Sequence, residues 1–111
     1  SHVSKAIDYA NKATAIINKG GAYQQIPQKD IDAIIDYYKK ALQEAEQADI
    51  ASMNRHYPGF GDHFRDEFIQ GLHMFISSHE TSDAMLSFTS QAMLDRWGNW
   101  FSENIDGIRG K

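Results

Sequence analysis

The chain has 111 residues, of which 41% are hydrophobic and 23% charged, and its formal net charge is −4. This length and composition predict one globular domain spanning 1–111. The acidic balance argues against a nucleic-acid partner, because proteins that bind DNA or RNA backbones usually carry a basic face.

The absence of cysteine excludes disulfides and thiolate chemistry. No apolar run approaches the roughly 18 residues of a membrane span, so no membrane partner is expected. The compartment stays open, with the cytoplasm favoured and a mature periplasmic domain as the alternative.

Apolar residues at alternating spacings of four and three predict a first helix over 4–19. Lys19 and the glycines 20–21 predict its end, since a cation and a left-handed glycine both suit a helix C-terminus. A second apolar stripe runs along the other side of this helix: Tyr9, Ala13 and Ile16. That stripe either packs between neighbouring helices or meets another protein.

Pro27 predicts the start of a second helix over 27–54, because proline suits the first helical turn. The residues Tyr57-Pro58-Gly59 predict its end, since the residue before a proline avoids the helical region. A third helix is predicted over 62–78, with Asp62 as its N-cap.

Helical periodicity assigns two faces to the third helix. The predicted core face contains Phe64, Phe68, Leu72, Phe75, Ile76 and His79, while His63 and Glu67 lie on the opposite face. A fourth helix is predicted over 82–105, capped by Thr81 or Ser82. Four helices with short connections predict an all-α, single-domain antiparallel bundle.

Metal binding is weakly indicated by histidines around the third helix. His63 and Glu67 are four residues apart on one helical face, and His56 could fold back from the preceding turn. His73 is rotated about 80° away from His63 on a helical wheel and His79 lies on the other side. The alternative is a solvated surface ion pair. No metal or other cofactor is therefore expected.

Several aromatic and methionine residues fall where a single bundle need not bury them, and such residues are favoured at the centres of protein interfaces. The predicted partner-binding residues are Tyr57, Phe60, Met85, Phe88, Trp97 and Trp100. Trp97 and Trp100 are about 60° apart on the wheel, which argues against both fitting the core. The alternative is that all six residues belong to a well-packed core.

The sequence predicts a small non-enzymatic protein-binding module of the regulator, inhibitor or immunity-protein kind. Its partner is another protein or a second copy of the chain. No nucleophile motif or glycine-rich phosphate loop accompanies the serines, so enzymatic activity is not expected. One alternative is a ligand- or metal-binding sensor bundle with His56, His63, Glu67 and His73 as its polar candidates. The other is a structural homo-oligomer held by the second apolar stripes of the first and fourth predicted helices.

Overall fold

Helices form all the regular structure of residues 1–19 and 26–110, which are the residues that this computed structural model describes, and no strand occurs among them. The helices are α1 (His2–Lys19), α2 (Gln28–Ala45), α3 (Ile50–His56), α4 (Phe60–His63), α5 (Gln70–Thr81) and α6 (Ala84–Arg109). A π-helical segment (Phe64–Ile69) joins α4 to α5 without a break. The described residues therefore contain five continuous helices, which confirms the all-α class but not the predicted number of four. The predicted helix stop at the glycines 20–21 lies outside the described residues.

The helix predicted over 27–54 is in fact two helices, because the chain turns at 46–49. Two amides of this turn donate to carbonyls three residues earlier, at 3.1 Å each, which tightens the end of α2. Asp49 is extended, and its carboxylate accepts a hydrogen bond from the N–H of Ser52 at 3.0 Å. This side-chain cap starts α3.

The turn between α3 and α4 follows the sequence expectation in its first part. Tyr57 is extended before Pro58, and Gly59 adopts a left-handed φ of 86° that glycine tolerates. The predicted N-cap role of Asp62 is wrong, because α4 begins two residues earlier. The Asp62 carboxylate instead accepts a hydrogen bond from Asn54 Nδ2 at 3.0 Å.

The cap predicted for the last helix is also displaced. Ser82 is left-handed with a φ of 54° and ends α5, while Asp83 caps α6. The Asp83 carboxylate accepts a hydrogen bond from the N–H of Leu86 at 3.1 Å. The helix then continues to Arg109, beyond its predicted end at residue 105.

Residue contacts group the chain into two compact units, Ser1–Ala48 and Asp49–Lys111. In the first unit, α1 and α2 pack against each other and run antiparallel: His2 bonds to Glu44 at 2.6 Å, and the rings of Tyr9 and Tyr37 lie 6.4 Å apart. The buried residues of α1 are the alanines at positions 6, 10 and 13. Small side chains therefore fill the buried face of α1, and the larger residues of its two predicted stripes are only half-buried.

In the second unit, α6 runs antiparallel to the continuous helix over 60–81. Leu94 lies beside Gly71, and the hydroxyl of Tyr57 donates to Asn104 Oδ1 at 2.8 Å. The core face of 60–81 consists of Phe60, Phe64, Phe68, Leu72 and Ile76, all buried. His79, which the periodicity also assigned to this face, is exposed.

Candidate functional site

Aromatic rings from α4, the π-helical segment and α6 form one cluster around Trp97. The Trp97 ring centroid lies 5.1–6.3 Å from those of Phe60, Phe64, Phe68 and Phe101. Trp97 is only 5% exposed and Phe60 only 8%. Rings packed at these distances attract one another in addition to their hydrophobic burial. The cluster is therefore the core of the second unit.

This packing bears on the residues predicted to bind a partner. Phe60 and Trp97 expose very little of their side chains, and their burial places them in the core of this unit. Tyr57 and Trp100 are half-buried, with ring centroids 6.2 Å apart in an edge-to-face arrangement. The helical wheel correctly separates Trp97 from Trp100, but it does not identify which of the two is covered.

Met85 and Phe88 are the large hydrophobic residues that the described structure leaves exposed, each at 75%. They lie three residues apart in the first half of α6, so they share one helical face. Asp83 caps α6 immediately before this face. From Ala84 to Leu94 no residue is charged, which makes this half of the helix an uncharged surface.

Acidic side chains surround the uncharged half of α6. Glu80 and Asp83 precede it, and Asp95 and Glu103 follow it, all of them exposed. Arg96 is the cation at the far end of the uncharged stretch. The exposed charged residues before and after the uncharged half of α6 are therefore acidic on balance. The net charge of the chain predicts an acidic surface but does not locate it.

His63 is held by a hydrogen bond and a ring stack. Its Nδ1 lies 2.6 Å from Glu67 Oε1, and its ring lies 4.3 Å from that of Trp100 at an interplanar angle of 18°. Since an ionised carboxylate only accepts hydrogen bonds, Nδ1 is the ring nitrogen that donates to Glu67, and Nε2 is the other ring nitrogen. The pairing of His63 and Glu67 is visible as a spacing of four. The stack on Trp100 is not, because that residue lies on another helix.

His56 does not join this pair. Its Nε2 lies 2.7 Å from the carbonyl oxygen of Ile108, so that nitrogen donates its proton to the last turn of α6. Among the residues that the structure describes, no three histidine or carboxylate side chains are grouped so that they could hold a metal ion. The arrangement at His63 thus provides two adjacent side chains and one open ring nitrogen.

The shifted pKa values belong to exposed or half-buried groups with a local partner. Hydrogen bonding to Arg65 lowers the pKa of the Asp66 carboxyl, and hydrogen bonding to His2 lowers that of Glu44. Asp36 raises the pKa of Lys40 in the same way. Each shift stabilises the charged form, which is the usual effect of a surface hydrogen bond or ion pair. None of these shifts indicates a general acid or base.

No helix among the described residues is both long and apolar enough to cross a membrane. Comparison with known proteins found no family model, no curated protein and no solved structure that matches the chain. The functional proposal therefore depends on the residues and geometry described above.

Proposed function

We propose that the chain is a non-enzymatic protein-binding module whose docking surface is the exposed face of the first half of α6. The observation that carries this proposal is the 75% exposure of both Met85 and Phe88 on one helical face. Methionine and aromatic residues are enriched at interface centres because they bury a large area and adapt to a partner's shape. Tyr57 and Trp100 are secondary candidates, and Phe60 and Trp97 act as core residues.

The size of the exposed apolar surface supports this proposal. With 75% exposure, Phe88 presents about 150 Å² and Met85 a similar area, so the pair presents about 300 Å². Patches of that size are at the lower end of the largest patches on ordinary monomers, which are often functional. A standard interface buries about 800 Å² on each partner, so the pair would form its centre and polar neighbours would form its rim.

Site-specific photo-crosslinking tests the proposal in the cells that produce the protein. A benzophenone amino acid replaces Phe88 in one sample and the exposed Asp66 in a matched control. We expect adducts of discrete mass from position 88 that are absent from position 66. Identical adducts from both positions, or none from position 88, would contradict docking at this face. An adduct with the mass of two chains would assign the face to a homo-oligomer.

A ligand- or metal-binding sensor is the second candidate, and the contact of His63 with both Glu67 and Trp100 favours it. Coordination at His63 Nε2 would disturb the ring stacked on Trp100, so binding should change tryptophan emission. Titration with Zn²⁺ tests this, with His63→Gln as the variant and His73→Gln as a matched control. An unchanged emission spectrum, or an equal response in both variants, would exclude a metal-sensing role for His63. The predicted arrangement of the whole chain as one antiparallel bundle stays a prediction.

A further inference from the structure

We infer that the occupant of the α6 face is a basic amphipathic helix of another protein, with apolar residues towards one end and Lys or Arg towards the other. This inference rests on the proposed function, because it names the chemistry of the partner for the same surface. Three observations carry it: the exposed Met85–Phe88 pair, the distribution of charge, and the position of the carboxylates along α6.

The net charge of the chain is concentrated in the second unit. Asp49–Lys111 contains nine carboxylate and five Lys or Arg side chains, so it accounts for the whole net charge of −4, and the first unit is neutral on balance. The docking face therefore belongs to the acidic unit. Complementary charge accelerates encounter with a basic partner and disfavours an acidic one.

The carboxylates near this face are free to pair with a partner. Glu80, Asp95 and Glu103 form no ion pair or hydrogen bond through their side chains with any described residue. By contrast, Asp62 and Asp66 are both within ion-pair distance of Arg65. An exposed carboxylate without an internal cation can contribute its full attraction to a cation on another molecule.

Helix geometry places the exposed apolar residues and two of the carboxylates along the same side of α6. At about 100° per residue, Met85, Phe88, Ala92, Asp95 and Glu103 fall within about 80° of one another around α6. At about 1.5 Å per residue, Asp95 lies about 10 Å beyond Phe88 along the axis and Glu103 about 22 Å beyond it. A helix of about 15–20 residues laid along α6 therefore meets an apolar region first and then two carboxylates, with the cation Arg96 beside them.

A second copy of the chain is a poorer occupant of the same face. It would bring a further net charge of −4 and the same carboxylates, with Arg96 as the one cation beside them. Like charges placed opposite each other oppose association. An anionic membrane surface is disfavoured for the same reason.

Fluorescence anisotropy with designed peptides on the intact chain tests the inference. The probe is a dye-labelled amphipathic peptide of about 18 residues, with leucines on one face of its first half and lysines on the same face of its second half. Two control peptides differ from it, one with glutamate for lysine and one with the leucines and lysines scrambled. The protein variants are Met85→Ser/Phe88→Ser for the apolar pair and Asp95→Asn/Glu103→Gln for the carboxylates. Asp62→Asn/Asp66→Asn changes the charge equally on the preceding helix and serves as the matched control.

Of the three peptides, we expect only the basic amphipathic one to bind saturably. The dissociation constant should rise at least about tenfold in the apolar variant and about three- to tenfold in the carboxylate variant, with no comparable change in the matched control. Raising the salt from about 20 mM to about 300 mM should weaken binding to wild type more than binding to the carboxylate variant.

The outcomes of these experiments distinguish a failure of the basic-helix inference from a failure of the proposed function. Equal binding of the acidic peptide, or no binding of the basic one, would overturn the basic-helix inference while adducts from position 88 still supported a docking face. Basic-peptide binding that is unchanged in Met85→Ser/Phe88→Ser would overturn both proposals for this surface. Self-association that depends on Phe88 would replace the basic helix with a second copy as the occupant.

Discussion

The contrast between Trp97 and Phe88 makes the most direct prediction, because the two aromatic residues lie on the same helix in opposite environments. Trp97 is 5% exposed within the ring cluster, whereas Phe88 is 75% exposed. Replacing each by alanine should therefore have very different effects on the free energy of unfolding. The comparison also separates core residues from the predicted partner-binding residues.

The expected magnitudes follow from the area that each side chain buries. Trp97 buries about 200–250 Å², which at about 25 cal/mol per Å² is an upper bound of about 5–6 kcal/mol. Measured losses for large aromatic-to-alanine changes are about 3–5 kcal/mol, and we expect Trp97→Ala to fall in that range. Phe88 buries only about 50 Å², worth about 1 kcal/mol, and the better helix propensity of alanine offsets about half of it. Phe88→Ala should change the free energy of unfolding by about 0.5 kcal/mol or less.

Urea denaturation followed by far-ultraviolet circular dichroism at one protein concentration measures both changes. A domain of this size has a total stability of about 5–15 kcal/mol, so the loss expected for Trp97→Ala is a large part of that total. Trp97→Phe keeps a ring in the cluster and should lose about 1–2 kcal/mol, which keeps the test usable. A loss below about 1 kcal/mol for Trp97→Ala, or above about 2 kcal/mol for Phe88→Ala, would refute the assignment of core and surface.

Three further predictions concern α6 and the helix caps. A Cβ at Gly98 would meet nothing within 4 Å, whereas a Cβ at Gly107 would lie 2.7 Å from Cε1 of Tyr57. We expect Gly98→Ala to stabilise the fold by about 0.5–1 kcal/mol and Gly107→Ala to destabilise it by about 1–3 kcal/mol, measured by urea denaturation. Asp83→Ala should cost about 0.5–2 kcal/mol because it removes the α6 cap, and Asp83→Asn should cost much less; equal losses would contradict the capping role. Hydrogen bonds from the backbone N–H and then the hydroxyl of the serine three residues later lower the pKa of Asp49 below its ordinary 3.8. The resulting stability is present above pH 3.8 and is lost as the pH falls through the lower folded pKa, so wild type and Asp49→Asn should converge in unfolding free energy on acidification. A difference that stays constant between neutral pH and about pH 2.5 would contradict this linkage.

The sequence predicts well the features that depend on neighbouring residues or on the helical spacing of apolar residues. The all-α class follows from the helical spacing of apolar residues, and the end of α3 follows from the residues before and after Pro58. The break at 46–49 is different, because Met53 continues the apolar stripe of α2 and periodicity therefore predicts one helix. The side-chain cap at Asp49 overrides that pattern and starts a new helix.

The candidate site was only partly predictable for a related reason. A helical wheel identifies residues that share a face, but it contains no information on which other helix covers that face. Phe60 and Trp97 are buried because α4 and α6 lie against each other, whereas Met85 and Phe88 have no such neighbour among the described residues. The acidic surroundings of Met85 and Phe88 are visible in the sequence once α6 is known to be continuous from Ala84 to Arg109.

The spacing of the buried residues explains the π-helical segment, although this spacing alone does not predict a π-helix from the sequence. The large apolar residues that are buried in 60–81 recur at a constant spacing of four: Phe60, Phe64, Phe68, Leu72 and Ile76. In an α-helix each step of four residues rotates the side-chain direction by about 40° around the axis. Four such steps give about 160°, so in a regular α-helix the five residues would not share one face. A wider turn at Phe64–Ile69 reduces the rotation and keeps the series buried. Although π-helical turns are frequent at functional sites, here the constant spacing is sufficient to account for one. The functional argument therefore belongs to the exposed face of α6, where no packing requirement explains Met85 and Phe88.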